Sequence, residues 1–455
     1  MSKKIVKFVD LFSGMGGIRI GFEQAFRSAG YDTKCVLIAE IKDAALTALN
    51  RNFPKEKISG DISKIDTKDI KDFDFLLAGF PCQAFSVAGK QRGFADTRGT
   101  LFFEVERILK DKQPYGFILE NVEGLVTHDK EKPEDAIGRT LATILRSLKS
   151  MGYNVTWKVL NAQDFGLPQY RNRIYIVGTK GNPLSLDNFP VKTATFSSIM
   201  EQGLPTINNE FSRRLLARYK AHELYGKSIK DKRGGNNNIH SWDLGIKGEV
   251  SADEKDLLNL LLKERRKRHW AQDIGIDWMD GMPLTARQIR TFYDKKGLEN
   301  MLKRLVNLGY LVYEYPKKKI TKTTDSRTTT ISERIPDTQK PKGYNIVTGK
   351  LSFEFSRILD PYGITPTMVA MDMETIGVID GKGIRNLTLK EGLRLFGYPP
   401  KYSLEDFNKT EKDKRLGFDL LGNTVCVPVI KAVANRLVES YMKARGKGGT
   451  HNASK

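Results

Sequence analysis

The sequence is poor in the residues that build disulfide frameworks and metal centres. Its 455 residues include three cysteines, Cys35, Cys82 and Cys426, and five histidines. Three cysteines cannot make a disulfide framework, none are spaced as metal-ligand pairs, and the histidines are scattered, so no metal site is expected. No run approaches the roughly 18–20 uninterrupted apolar residues of a membrane span, and the N-terminus lacks a signal-peptide pattern. A cytoplasmic chain without membrane contact is therefore expected, and no internal repeat is visible. Acidic charge is also in deficit: 54 Asp and Glu stand against 75 Lys and Arg, a formal net charge of +21. Such an excess attracts polyanions and speeds their capture, and nucleic acid is the partner it favours. A solvated lysine-rich surface would give the same number.

What is present is a regular alternation. Apolar runs at residues 5–11, 35–39, 73–78, 117–119, 155–160 and 173–178 read as strands. Helical periodicity covers 17–29, 44–52, 101–110 and 140–151. This order predicts an α/β fold with a doubly wound, mostly parallel sheet, whose ligands sit at the carboxyl ends of the strands. With 40% hydrophobic content, the chain can hold a large core and two domains. A catalytic and cofactor-binding domain is expected over 1–180. A smaller, irregular domain follows over 181–384, where Asn, Gly, Lys and Arg rise, and 385–455 returns to the first domain with a disordered tail from 446. Within the middle stretch, residues 252–320 form a basic helical insert carrying the run Lys263-Glu264-Arg265-Arg266-Lys267-Arg268. Two helices at 284–293 and 298–308, then a strand and a basic turn, match a winged helix-turn-helix. An amphipathic insert that packs on its neighbours fits the same pattern.

The chemistry-bearing residues cluster at the predicted strand ends. Asp10-Leu11-Phe12-Ser13-Gly14-Met15-Gly16-Gly17 joins the first strand to the first helix, and its glycines let a ligand approach the backbone. Glu40 ends the second strand, where a carboxylate can accept from both ribose hydroxyls. Asp61, after a third short strand, could accept from an adenine amino group. Together they point to a nucleoside. Gly79-Phe80-Pro81-Cys82-Gln83-Ala84-Phe85-Ser86 aims a thiol out of a tight turn, and Glu120-Asn121-Val122 delivers a carboxylate at the end of another apolar run. Arg171 and Arg173 offer charge that could lower the thiol's pKa, bind phosphate or pair with Glu120. The loop 86–100 combines Lys90, Arg92 and Arg98 with glycines, as a mobile phosphate-contacting loop would, or a plain exposed one.

These blocks, taken in order with Gln169-Tyr170-Arg171-Asn172-Arg173, Leu387–Pro399 and Gly422-Asn423-Thr424-Val425, resemble the DNA (cytosine-5) methyltransferases of bacterial type II restriction-modification systems. The resemblance covers roughly residues 1–180 and 385–445, and 181–384 fits that family's target-recognition domain. It implies that Cys82 attacks C6 of a flipped-out cytosine while Glu120 bonds to N3 and the exocyclic amine. Arg173 would support the ring's O2, and Arg171 would order the site. S-adenosylmethionine would donate the methyl group from a pocket of Phe12, Gly14, Met15, Gly16, Gly17, Glu40, Ile41, Asp61, Ile62, Pro81 and Asn423. Ser86, Lys90, Arg92, Arg98 and Thr367 would contact DNA. Ile41 stands where relatives often carry an aromatic residue, and Thr367-Met368 where they carry Thr-Leu. The implied partners are double-stranded DNA and, functionally, a cognate restriction endonuclease, with the enzyme a monomer. An RNA cytosine methyltransferase on the same scaffold is the alternative, disfavoured by the long recognition-like region. Intact Cys82, Glu120 and Arg173 disfavour a catalytically dead DNA-binding regulator.

Overall fold

The computed structural model describes residues 4–80, 101–231, 237–323, 330–347, 353–370 and 372–447. The chain divides into two compact units, one of Met1–Glu201, Asp360–Glu374 and Leu387–Lys455, the other of Gln202–Leu359 and Thr375–Asn386. The first unit thus runs past residue 180 and takes in 360–374, a segment the sequence pattern leaves in the middle domain.

The first unit opens with β1 (Ile5–Leu11), α1 (Gly17–Ser28), β2 (Asp32–Ala39), α2 (Asp43–Asn52), β3 (Phe75–Gly79), α3 (Leu101–Lys112), β4 (Gly116–Val122), α4 (Arg139–Ser150), β5 (Asn154–Asn161) and β6 (Asn172–Thr179). The sheet order is β2-β1-β3-β4-β6-β5. β2, β1, β3 and β4 pair in parallel, while β6 runs antiparallel between β4 and β5. β2 and β3 flank β1 on opposite sides, so the winding reverses there and a crevice opens at the carboxyl ends. The short strand expected before Gly60 does not form. Ile58 makes one isolated parallel bridge to Ile38, and Asp61 instead caps a 3-10 turn over Ile62–Lys64 by accepting from the Ser63 amide. Three residues cannot both pair as a strand and turn into that cap.

The second unit holds α5 (Glu210–Arg218), α6 (Ala221–Leu224), β7 (Ser228–Ile229), β8 (Asn238–Ile239), α7 (Ala252–Glu264), α8 (His269–Asp273), α9 (Ala286–Arg290), α10 (Leu298–Asn307), β9 (Leu311–Glu314), β10 (Lys317–Thr323), β11 (Thr330–Pro336), β12 (Gly343–Ile346), β13 (Arg357–Ile358), β14 (Ile376–Asp380) and β15 (Gly383–Asn386). Five short strands form a sheet in the order β15-β14-β13-β7-β8. A separate apolar core gathers Leu257, Leu261, Ile289, Leu302, Leu305 and Leu311. Ser251 and Glu254 make a capping box that starts α7, and Thr285 and Gln288 do the same for α9, each satisfying amides the first turn leaves open. α7 ends at Glu264, inside the basic run. There Arg265 is buried, donates to Asn345 Oδ1 at 2.6 Å, and its carbonyl accepts from the Met282 amide. Arg266 pairs with Asp280, and Arg268 lies over the Trp278 ring. The basic run is therefore largely spent within the unit.

The chain then returns to the first unit as α11 (Leu389–Leu395), α12 (Glu411–Gly422) and α13 (Val427–Lys447). Tyr441 of α13 packs into an aromatic group with Phe26, Phe75 and Tyr115 at centroid distances of 4.9–6.0 Å. On the other face of the sheet Leu76, Leu119, Phe117 and Ile176 meet Leu141, Ile144 and Leu148 of α4. Burying each such side chain contributes about 1.5–3 kcal/mol, which holds the strand ends in place. The stretch Glu411–Arg445 is long and apolar enough by composition to cross a membrane, but 67% of its most apolar window is buried inside the fold.

Candidate active site

A cavity of about 370 Å³ opens at the carboxyl ends of β1 to β4. Phe12, Gly14 and Met15 reach it from the turn after β1, Glu40 and Ile41 from the end of β2, and Asp61 and Ile62 from the capped turn. Gly79 ends β3 and Phe80 follows it, Glu120 and Asn121 come from β4, and Arg171, Arg173 and Asn423 complete the wall. Most residues assigned from sequence to two functions thus face one space. Gly16 and Gly17 do not line it. Gly16 caps α1 at φ 74, a left-handed conformation that suits glycine, and Gly17 lies against Tyr398 and Val425. Phe12 holds φ 53 without being glycine, a strained backbone that costs about 1–3 kcal/mol and marks a functional turn.

Glu40 is fixed by the main chain. One oxygen accepts from Gly14 N at 2.7 Å, the other from Ile41 N at 2.8 Å and Lys42 N at 2.9 Å. A carboxylate offers about four lone-pair directions, so little acceptor capacity remains for a ligand, against the two ribose hydroxyls expected from sequence. Ile41 is 69% exposed at the cavity wall. Asp61 accepts from Ser63 N at 3.0 Å and Ser63 Oγ at 2.8 Å, and these bonds hold its carboxyl below the usual range.

At the other end of the cavity Glu120 lies within β4, not after it, and is 9% exposed. Burial raises its pKa, opposed by the nearby guanidinium groups of Arg173 and Arg171. Arg173 Nε stands 3.2 Å from Glu120 Oε1. The β4–β6 register sets Val122 opposite Arg173, which makes Glu120 and Arg173 diagonal neighbours on one face. A buried carboxyl beside a cation can give up or take back a proton without moving. Asn121, named in the sequence only as part of its block, is buried and donates to the Phe80 carbonyl at 3.2 Å. It ties down the residue before Pro81. A second polar side chain beside Glu120 in a buried strand was its one signal. Pro81, Cys82, Ser86, Lys90, Arg92 and Arg98 lie outside the described residues.

Arg171, expected to order the site, bonds the main chain around it. It is 2% exposed, and its guanidinium donates to the carbonyls of Met368 at 2.9 Å, Gly422 at 3.0 Å and Thr424 at 2.8 Å. Its ring-face neighbour is Phe396, at 5.0 Å. Burial pushes its pKa down to about 10. The Thr367 hydroxyl donates to the Tyr170 carbonyl at 2.7 Å, and Asn423 donates to Asp419. These contacts clamp 169–171 to 365–368 and 422–424. Arg171→Ala is expected to lower stability by about 3 kcal/mol, since it strands three buried carbonyls; urea unfolding would measure it.

A family model described as C-5 cytosine-specific DNA methylase matches residues 6–439. The Type II methyltransferase M.NlaIV of Neisseria lactamica is 59% identical over 437 residues, covering 96% of this chain and 99% of that protein. M.NgoBV of Neisseria gonorrhoeae is 58% identical with the same coverage, and M.BanI of Aneurinibacillus aneurinilyticus is 39% identical over 460 residues, 96% of each. Among solved structures, the methyltransferase EhMeth of Entamoeba histolytica aligns with a TM-score of 0.52 at 14% identity, covering 96% of this chain and 99% of that one, a likeness of fold. With the strand-end cavity and its carboxylates, these matches identify the chain as a member of the C-5 cytosine-specific DNA methylase family.

Proposed function

We propose that the enzyme methylates C5 of a cytosine flipped out of a short duplex DNA sequence, with Cys82 as a transient covalent nucleophile and S-adenosylmethionine as donor. The observation that carries this reading is the shared cavity: Glu120 and Arg173 face the same space as Glu40, Ile41 and the glycine turn. The cavity suits the donor. The Ile41 side chain offers an apolar platform for adenine, the Glu40 carboxylate sits at the ribose position with capacity for about one further bond, and carboxylates near a sulfonium favour its charge. When bound, S-adenosylmethionine supplies an electrophilic methyl group that C5 can take.

The chain's own residues make C5 reactive. The Cys82 thiolate forms a bond to C6, the C5–C6 π pair shifts to C4–C5, and the C4–N3 π pair moves onto N3. Glu120 donates its proton to N3, so the ring stays neutral and C5 gains nucleophilic character. Arg173 beside Glu120 holds that carboxylate in position and reaches toward O2. After methylation, N3 returns its proton to Glu120, water takes the C5 proton, the C5–H pair re-forms the C5–C6 double bond, and the C6–S pair returns to Cys82. Ser86, Lys90, Arg92 and Arg98 contact phosphates around the flipped base, whose extrusion costs a few kcal/mol. Arg171 and Thr367 act by positioning the 169–173 segment. The second unit recognises the target, and the product protects cytoplasmic bacterial DNA from a cognate endonuclease.

Bisulfite sequencing of a plasmid and of total RNA from cells producing the chain tests this. Protected cytosines in one short sequence context are expected. Protection confined to cellular RNA would favour the RNA alternative, and none in either would contradict the reading. The donor site has its own check: Glu40→Ala should weaken S-adenosylmethionine binding by titration calorimetry by roughly tenfold or more, the value of one charged hydrogen bond.

A further inference from the structure

The second unit contains a segment whose topology has one well-defined use. α7 is followed by Leu284, which bridges antiparallel to Tyr344 of β12. Then come α9, α10 and β9, which pairs antiparallel with β12, and between β9 and β12 lies the antiparallel β10–β11 hairpin. With the short α8 between α7 and Leu284 as an addition, the order helix, bridged segment, helix, helix, strand, hairpin, strand is that of a winged helix. Hydrogen bonding continues α9 to Tyr293, where Tyr293 N donates to Ile289 O. The connection to α10 is therefore the four residues 294–297, ending in Gly297 at φ 84, the tight glycine turn of a helix-turn-helix. Tyr293 Oη donates to the Asp253 carbonyl at 2.7 Å and locks α9 to α7.

α10 is divided sharply by face. Leu298, Leu302 and Leu305 are buried. Lys296 in the turn, with Asn300, Lys303 and Asn307 of the helix, is exposed. Their spacing of four, three and four places them in one stripe. None of the four makes a side-chain hydrogen bond or ion pair among the described residues. The flanking charges, by contrast, are neutralised internally: Glu299 pairs with Arg290, and Arg304 with Glu254. An outward stripe of two amides and two cations, with nothing in the fold to bond, offers the donors and acceptors that base edges in a major groove require. The hairpin adds positive charge. Lys317, Lys319 and Arg334 are exposed, and the register sets Lys319 opposite Arg334, so all three share a face. The rival surface, the run Arg265–Arg268, is spent on Asn345, Asp280 and Trp278.

We propose that residues 250–347 are a winged-helix module that binds double-stranded DNA, with α10 reading base edges through Asn300, Lys303 and Asn307 and the β10–β11 hairpin gripping phosphates through Lys317, Lys319 and Arg334. The assignment deepens the DNA-methyltransferase reading and places sequence discrimination on a named helix.

Two surface variants of the full-length enzyme test it. Lys317→Ala/Lys319→Ala/Arg334→Ala should lower the slope of log affinity against log salt by about 2–3, since each lost phosphate contact removes about 0.9. Asn300→Ala/Lys303→Ala should change the sequence recovered when the enzyme selects duplexes from a random library, and weaken the best site roughly tenfold per lost base contact. Both variants should keep the unmodified thermal midpoint. An unchanged slope in the first or an unchanged consensus in the second overturns the proposal and leaves the module structural or protein-docking. Photo-crosslinking of the unmodified enzyme to bromouracil-substituted duplex needs no variant: peptides from 296–307 and 317–336 are expected, and their absence also overturns it. Comparing the selected consensus with the methylated one tells whether α10 reads the duplex that is methylated or a separate site. These readouts do not depend on catalysis, so an enzyme that binds but fails to methylate would refute the proposed reaction and leave the module standing.

Discussion

Replacing Cys82 with alanine is expected to reduce methyl transfer to background while leaving duplex binding within a few-fold of the unmodified enzyme. The other two thiols make the expectation sharp. Cys35 and Cys426 are 8% and 2% exposed. Burial, the largest cause in both, pushes Cys35 far above the usual thiol range and Cys426 up to about 11. Neither forms a useful fraction of thiolate near neutral pH, and thiolate is the attacking species. That leaves Cys82, in the glycine- and arginine-containing stretch after β3, as the thiol proposed to attack, and an ordinary thiol titrates at about 8.5. Since the thiol adds no binding to the ground state of DNA, its loss should appear in the rate and not in affinity. Filter binding and tritiated-methyl transfer on the same preparation separate the two.

Glu120→Gln is expected to lower the maximal rate by roughly 10²–10⁴-fold, the worth of a positioned proton donor, and to remove the alkaline limb of the pH–rate profile. Burial raises the Glu120 pKa above the ordinary carboxyl value of 4.5, although Arg173 and Arg171 pull it back. The protonated form is the donor, so activity should fall as pH rises through the raised value. Gln keeps the hydrogen bond and cannot deliver a proton, so its profile should lack that limb. The same shift has a consequence for folding. The native state binds the proton more tightly than the unfolded chain, so the stability contributed by Glu120 is largest below the ordinary carboxyl range and declines as pH rises through the raised value. A variant that kept both the rate and the alkaline limb would remove Glu120 from the chemistry.

The parts of this arrangement that were legible in the sequence are those carried by short-range pattern. The apolar runs of β1 and β3, the helical spacing in α4 and the glycine turn after β1 depend on neighbours within one element. The cavity residues Phe12, Glu40, Asp61 and Glu120 follow, because a doubly wound sheet puts strand ends together. Long-range pairing was not legible. Arg171 reads like a site arginine, yet its partners are main-chain carbonyls about two hundred residues or more away at Met368, Gly422 and Thr424, and carbonyls leave no mark in a sequence. Arg265 reads as surface charge because its partner Asn345 lies on a strand eighty residues on. The strand expected before Gly60 failed because the Asp61 side chain closes a turn on Ser63. The winged helix was visible as two helices and a basic turn, but the pairing of β9 with β12 that completes it spans the whole hairpin.

The central claim is that Cys82 bonds to the cytosine ring during turnover. The direct measurement is incubation of the enzyme with S-adenosylmethionine and a duplex carrying 5-fluorocytosine at the methylated position, followed by denaturing electrophoresis and peptide mass analysis. Fluorine cannot leave as the C5 proton does, so the cycle should stop with the C6–S bond intact. A denaturant-stable adduct mapped to Cys82, absent in Cys82→Ala, is the predicted result. Methylation of ordinary cytosine by the same preparation, with no adduct on the fluorinated duplex or an adduct on another residue, would contradict it.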